Sequence, residues 1–362
     1  MVIFGQRIVV MKKFWLLFVL FSSLPLFSQP YANAFLRIGA GADALAMSGA
    51  VAARNNEAFS AYWNPAELAR QSRSQIGLMH AALYRNMAKW DYVSFVRPVN
   101  HQSGAAISLM RLGVDNIMNT TRLIDQNGDV DYNRIRYFSA ADYALTISYG
   151  RGRIAGKWDG GVNVKILYRH IGDFARAYGF GFDAAVRRQG EKWLLGVVLR
   201  DAATTFTHWT VDEKILKEIR DAVPGKNETS PVQDEFTYPQ LQAGAARKFN
   251  MGKGYGLRVE LDLKTDFFKR PALIRLPFAS LEPVVGLEGN YKQKIFLRAG
   301  VGDIYPFTYF GERIWHFRPS AGTGLRFRYL QLDYAFTGFA DKGFFSHIFS
   351  LSVDLRLFKK AR

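Results

Sequence analysis

Strict period-two alternation, repeated along most of the chain, is the feature that limits this sequence most. In Asp142 to Gly150, Tyr143, Leu145, Ile147 and Tyr149 fall on one face and Ala144, Thr146, Ser148 and Gly150 on the other. Leu257, Val259, Leu261 and Leu263 alternate with Arg258, Glu260, Asp262 and Lys264, and Phe345 to Leu357 keeps the same rhythm. Successive side chains of a strand point to opposite faces, so these segments are expected to be strands with one apolar and one polar face. A water-soluble sandwich also alternates, and the charges decide between the two. Four ionisable groups back to back with pure Val and Leu suit a wall whose apolar side meets acyl chains and whose ionic side turns to a polar interior.

Fourteen such segments are expected, near residues 74–84, 90–98, 103–113, 140–150, 158–170, 177–188, 192–200, 240–249, 255–265, 283–292, 294–302, 320–327, 329–337 and 345–357. Segments of about ten residues joined by turns are the unit of a transmembrane strand. The connections alternate short and long, with long ones at 114–139, 201–239, 266–282 and 303–319. That is the asymmetry of a bacterial barrel with periplasmic turns and outside loops. The expected fold class is all-β, a transmembrane antiparallel β-barrel of about fourteen strands, with an N-terminal hatch segment in its lumen.

Composition excludes the competing classes. No apolar stretch of about 20 residues follows the first thirty positions, so a helical multi-span protein is ruled out. Aromatic residues make up 15% of the chain, too much buriable surface for a disordered segment. There is no cysteine, which removes disulfides, thiolate metal sites and cysteine nucleophiles. The net charge of +17 has no basic stripe or nucleic-acid module behind it, so anionic lipopolysaccharide, or the solubility of loops, is the expected reason for it.

Lys12 and Lys13 precede the apolar run Phe14 to Phe27, which Ser22, Ser23 and Pro25 interrupt. This is the layout of a secretory signal, with cleavage near Ser28 and Met11 as a natural start; a retained membrane anchor is the competing reading. The expected organisation is residues 1–28 as leader, 29–73 as hatch and 74–358 as barrel. Residues 34–70 do not alternate, are rich in Gly and Ala, and contain a helix start at Asn64-Pro65. Asn64, Pro65 and Ala66 are the candidate hatch residues, with Ala177, Gly179 and Gly181 expected to leave room for the segment; a periplasmic lead-in is the alternative.

The runs Phe35-Leu36-Arg37-Ile38-Gly39, Gly41-Ala42-Asp43-Ala44-Leu45-Ala46-Met47 and Tyr62-Trp63-Asn64-Pro65-Ala66-Glu67-Leu68-Ala69 carry a family likeness. They resemble the N-terminal signature of PorV/PorQ-type outer-membrane proteins, within the wider FadL-like barrel superfamily. The resemblance implies a fourteen-stranded barrel with a hatch, in the outer membrane of a Bacteroidetes-type bacterium. It also implies a partner: a translocon barrel or cargo domain of the type IX secretion system. Asp43, Ser48 and Asn55-Asn56 depart from that signature.

Four groups of residues are candidates for chemistry. Asp125, Asn127, Asp129 and Asp131 are spaced like part of a calcium loop, but the distal Glu is missing and Asn127-Gly128 is a tight-turn pair, so a hairpin without metal is expected. The six histidines are dispersed, and Ser346 and His347 point to opposite faces, so no catalytic constellation is expected. Lys165, Arg169, Arg258, Glu260, Asp262, Lys264, Glu288, Arg298, Arg326 and Asp333 fall on lumen faces with both signs present and are expected to form ion pairs. Tyr305, Phe307, Tyr309, Phe310, Trp315 and Phe317 crowd one outside loop and suit a protein interface, or self-packing over the barrel mouth. Val211 to Ala222 reads as a short amphipathic helix.

The function expected is therefore a non-enzymatic outer-membrane barrel, without cofactor, that binds a protein in type IX secretion or surface display. The alternative is FadL-like passive transport of hydrophobic small molecules, which predicts an apolar pocket beside Asn64 and Pro65 and a lateral opening in the wall.

Overall fold

The computed structural model describes residues 32–54, 58–124, 128–215, 217, 234–339 and 344–359. The leader expected over residues 1–28 lies outside them. Seventeen strand segments follow in chain order: β1 (Gln75–Leu83), β2 (Ala88–Asn100), β3 (Ser103–Asn119), β4 (Arg136–Ala155), β5 (Trp158–Ile171), β6 (Ala175–Gln189), β7 (Trp193–Arg200), β8 (Thr205–Val211), β9 (Asp234–Thr237), β10 (Gln240–Gly252), β11 (Tyr255–Asp266), β12 (Ile274–Arg275), β13 (Ser280–Tyr291), β14 (Ile295–Tyr309), β15 (Glu312–Arg326), β16 (Leu330–Phe339) and β17 (Phe344–Asp354).

All neighbours are antiparallel and the sheet closes where β1 pairs with β17. β7 and β8 are two parts of one wall strand, both pairing with β6, and β9 and β10 form the next one. β12 is a two-residue excursion paired only to β13. The wall therefore has fourteen strands, and every one is antiparallel to its neighbours. A closed barrel leaves no unpaired edge, which is what crossing a bilayer with strands demands. This fold places the protein in a bacterial outer membrane.

The two faces of the wall are as different as the alternation requires. Leu78, Val93, Ile107, Ile147, Ile166 and Leu261 are exposed on the outside. Arg258, Glu260, Asp262, Arg298 and Asp333 are buried inside. At one end the strands meet in tight connections at 101–102, 156–157, 190–192, 253–254, 292–294 and 327–329. The long connections lie at the other end, which orients the tight turns to the periplasm.

Residues 32–70 form short helical turns, Ala34–Arg37, Ala42–Leu45, Ser60–Trp63 and Pro65–Arg70, and stay out of the sheet. Asn64 caps the last of them, its side-chain oxygen accepting from Ala66 N at 3.0 Å, and Pro65 occupies the position where a missing N–H costs nothing. Phe59, Met47, Trp63 and Leu68 are buried against the inner face of the wall. Each such side chain contributes roughly 1.5–3 kcal/mol when removed from water.

The structure corrects several sequence expectations. Residues 303–319 are not a loop: β14 and β15 run on as a hairpin to a turn at Phe310-Gly311. Aromatic residues favour strands, so the density that marks them as loop anchors marks strand extensions here. Val211 ends β8, and residues 213–215 and 217 are helical, within the span expected to form a helix; Leu216 and Ile219 lie outside the described residues. The room for residues 32–70 comes from other glycines than Gly179 and Gly181, which face Thr207 and Thr205 of β8. A methyl group on Gly104, Gly150, Gly161, Gly196 or Gly300 would overlap the backbone of Leu68, Pro65, Ala66, Ala52 or Met47.

Candidate functional site

Several polar clusters occupy the interior among the described residues; Arg169, for one, pairs with Asp142 at 2.7 Å and Glu235 at 3.0 Å. In a second, Lys165 of β5 donates to Asp183 of β6 at 2.7 Å and to Asp201 at 2.5 Å. Asp201 opens the four-residue break between β7 and β8; its carboxylate also accepts from Thr205 Oγ1, and its own N–H donates to Asp183. The break at mid-height is thereby closed by an ion triad. In a third, Arg298 of β14 bridges Glu288 of β13 and Asp333 of β16, each at 2.7 Å, and Arg258 reaches Glu288 at 3.5 Å. Arg298 and Arg326 lie over the Phe296 ring, each 4.8 Å from its centre. In a fourth, at the long-loop end, Arg270 joins Asp266 and Glu282, each at 2.5 Å, and Arg37 joins Asp266 at 2.7 Å. Burial leaves such charges costly unless they are paired, and these are.

Glu260 and Asp262 do something different. Asp262 Oδ2 accepts from the backbone N–H groups of Val51 and Ala52, both at 3.0 Å, and Glu260 Oε1 accepts from Ala53 N at 2.8 Å. Two carboxylates of one wall strand thus hold three successive amides of the N-terminal segment. Gln242 adds a donor bond to Gly49 O at 2.9 Å. Trp63 Nε1 donates to Ala40 O at 2.6 Å and Trp90 Nε1 to Gly39 O at 2.7 Å, which tie the segment to itself and to β2. Glu67, fully buried, has no hydrogen-bond partner for either carboxylate oxygen among the described residues. Burial pushes its carboxyl up to about 8, against the pull of Arg187 and Arg54.

Two cavities lie toward opposite ends of the barrel. The one at the long-loop end measures ≈ 290 Å³, and Ile38, Leu45, Tyr62, Trp63 and Phe268 line it beside Arg37 and Arg200. Arg200 spans Tyr62 and Trp63, 5.0 and 5.5 Å above their rings. The one at the periplasmic end measures ≈ 620 Å³ and is lined by Leu257, Arg258, Glu288, Phe296 and Arg326 among others.

Of the residues singled out from sequence, Lys165, Arg258, Glu288, Arg298 and Asp333 take part in the ion pairs above, and Lys264 lies 3.9 Å from Glu282. Asp183, Asp201, Asp266, Glu282 and Arg270 complete those clusters and were not among the candidates; the last four stand at strand ends or in connections, where alternation carries no information. Asn64, Pro65 and Ala66 are buried, with Asn64 Nδ2 donating to Ala52 O at 2.7 Å. The space beside them is filled by Gly150, Gly161 and the segment itself, so the apolar pocket expected there is not present among the described residues. The Tyr309 side chain lies outside the described residues, and the other five aromatic residues do not form one surface. Tyr305 and Phe307 lie near His316, Tyr305 stacked on it at 4.6 Å, whereas Trp315 and Phe317 alternate with His316 along β15 and Phe310 stands at the tip, 91% exposed. Asp125 and Asn127 lie outside the described residues; Asp131 caps Asn133 N and pairs with Arg134 at 3.2 Å. Among the described residues no three His, Asp or Glu side chains converge to hold a metal ion. Ser346 donates no bond to His347: Ser346 Oγ accepts from Tyr84 N, and His347 Nδ1 faces the Tyr334 hydroxyl at 2.9 Å on the outer face.

No family model matches the chain, and no curated protein does. Solved structures do. The CymD monoaromatic hydrocarbon channel superposes with a TM-score of 0.53 at 12% identity, covering 88% of this chain and 98% of that one. The Pseudomonas putida toluene transporter TodX gives 0.53 at 13%, and the Ralstonia pickettii toluene transporter TbuX 0.53 at 12%, each covering 87% of this chain and 98% of the other. At such identity the likeness is one of fold.

The PorV/PorQ resemblance is corrected by these findings. Barrels that superpose on nearly the whole chain are small-molecule channels, so the type IX secretion role, the translocon or cargo partner and the Bacteroidetes-type source drawn from that resemblance are withdrawn. The expectation of lipopolysaccharide as counter-ion changes as well. At the long-loop end Lys89 lies 3.0 Å from Asp115, and Arg111 lies 3.7 Å from Asp91, so these cations have their own counter-ions.

Proposed function

We propose that the chain is a passive outer-membrane channel for small hydrophobic molecules, exported by residues 1–28 and obstructed at mid-height by residues 29–73 as a hatch. The observation that carries this reading is the cavity at the long-loop end, lined by Ile38, Leu45, Tyr62 and Trp63 of a segment held by hydrogen bonds to the wall. A cavity of roughly 150 Å³ is enough to hold benzene. The ≈ 290 Å³ space beside Tyr62, Trp63 and Phe268 accommodates a single aromatic ring, with Arg200 beside it as a cation for ring faces. The fold likeness to toluene and monoaromatic hydrocarbon channels supports the same class of permeant. Release of the amides of Val51, Ala52 and Ala53 from Glu260 and Asp262 would join the two cavities without breaking the sheet.

The test is uptake of radiolabelled toluene by cells that express the barrel in a host depleted of its own outer-membrane channels. Uptake faster than in vector-only cells is expected, with saturation absent or weak as for passive flux. Rates indistinguishable from the vector control would remove the reading.

A further inference from the structure

Cations that face away from the lumen differ in what they meet. At the long-loop end Lys89 meets Asp115 and Arg111 meets Asp91 and Asp115, while Arg313 lies 5.6 Å above Trp315. At the periplasmic end two of them, Arg188 and Arg247, meet aromatic rings. Arg188 lies 6.0 Å above Trp158, and Arg247 lies 5.4 Å above Trp193 and 4.9 Å above Phe249. Neither guanidinium has a carboxylate within ion-pair distance among the described residues. Arg187 and Ala246 are buried on the inner face, so alternation sends Arg188 and Arg247 outward. The register confirms it: Trp158 is opposite Arg188 and Trp193 opposite Arg247.

These residues sit on β5, β6, β7 and β10, which are consecutive in the wall. Indole rings on the outer face at the end of a strand belong at the boundary between acyl chains and headgroups. An arginine stacked on such a ring keeps its full charge and most of its N–H donors, because the ring face supplies attraction without accepting the protons. The guanidinium groups are therefore held at headgroup depth, ordered and without a counter-ion. Glu191 in the β6–β7 turn is the acid nearest along the chain, and Lys192 beside it offsets its charge.

We propose that the face formed by β5, β6, β7 and β10 at the periplasmic rim binds anionic phospholipid headgroups of the inner leaflet, with Arg188 and Arg247 as the phosphate ligands. Planar guanidinium matches two phosphate oxygens at once, and the tryptophans pack against the glycerol and first methylenes of the lipid. The site does not depend on what the lumen conducts.

The full-length barrel, purified in dodecyl maltoside micelles doped with phosphatidylglycerol or with phosphatidylcholine, tests this by native mass spectrometry. Phosphatidylglycerol is expected to remain bound and phosphatidylcholine to dissociate. The double variant Arg188→Gln with Arg247→Gln is expected to lose roughly thirtyfold in phosphatidylglycerol affinity. Arg134→Gln, at the opposite end, is expected to leave it unchanged. Equal retention of both lipids, or retention unaffected by the double variant, overturns the proposal. Should the double variant fail to fold, the wild-type barrel in low and high salt decides: salt must weaken the phosphatidylglycerol adduct, and an adduct insensitive to salt counts against it.

Discussion

Asp262→Ala is the sharpest probe of how the N-terminal segment is held. The substitution removes the acceptor of three hydrogen bonds, from Val51 N and Ala52 N at 3.0 Å and from Gln242 Nε2 at 2.7 Å. Gln242 keeps its bond to Gly49 O, so the two backbone amides are the loss that matters. A hydrogen bond to a charged acceptor contributes about 1.5–3 kcal/mol, which gives about 3–6 kcal/mol for the pair. Applied to an equilibrium between seated and released segment, that is a shift of roughly 10²–10⁴. Hydrogen exchange followed by mass spectrometry on the folded barrel reads this directly, because the amides of residues 51 and 52 are the ones freed. Their exchange is expected to accelerate by the same order, and planar-bilayer recordings are expected to show new conductance. Asp262→Asn, which retains an acceptor oxygen, should lie between the two. A folded Asp262→Ala barrel in which those amides exchange as slowly as in the wild type refutes the argument that this carboxylate anchors the segment.

Other perturbations have equally definite outcomes. Gly196→Val places methyl groups into the backbone of Ala52 and is expected to cost about 1–3 kcal/mol or more through overpacking, seen as protease cleavage within residues 49–54 that the wild type resists. Lys165→Met leaves Asp183 buried without its ion-pair partner and Asp201 with only Arg37 at 3.9 Å, and a loss of about 3–5 kcal/mol is expected in urea titrations; an unchanged midpoint would contradict the role assigned to the triad. The Glu67 carboxyl, raised to about 8 by burial, binds a proton in the folded state that the unfolded chain has already released above its ordinary range near 4.5. Stability from this group is therefore full at low pH and falls as pH rises through about 8. Glu67→Gln should flatten that decline, and a wild-type and a variant barrel with parallel stability curves from pH 5 to 9 would show that the residue does not titrate there.

How much of this could be read in advance differs from element to element. The strand from Tyr255 to Asp266 was legible in full, since Leu257, Val259, Leu261 and Leu263 face outward and Arg258, Glu260, Asp262 and Lys264 inward, as alternation alone requires. The helical start at Asn64-Pro65 was legible too, because a cap and a proline are local signals. The β14–β15 hairpin was not, since aromatic residues serve both loops and strands and only pairing across the hairpin tells them apart. Nor was the partner of Lys165. Asp201 stands in a break between strands, and nothing local marks a connection as folding back into the wall.

The sequence by itself determined the wall: which side chains meet lipid, which turn inward, and that about fourteen strands close on themselves. That information is local, because a strand's two faces repeat every second residue and need no knowledge of neighbours. Only the tertiary structure decided what the inward residues do, since pairing partners lie tens to hundreds of positions apart. It showed Asp262 holding backbone amides where an ion pair was expected, Glu260 holding one beside its contact with Arg258, and Arg188 and Arg247 stacked on aromatic rings where Lys89 has a carboxylate. In the sequence those cations are scattered; antiparallel register gathers alternate turns onto one rim, and so gives one end of the barrel a charge that no stretch of the chain carries alone.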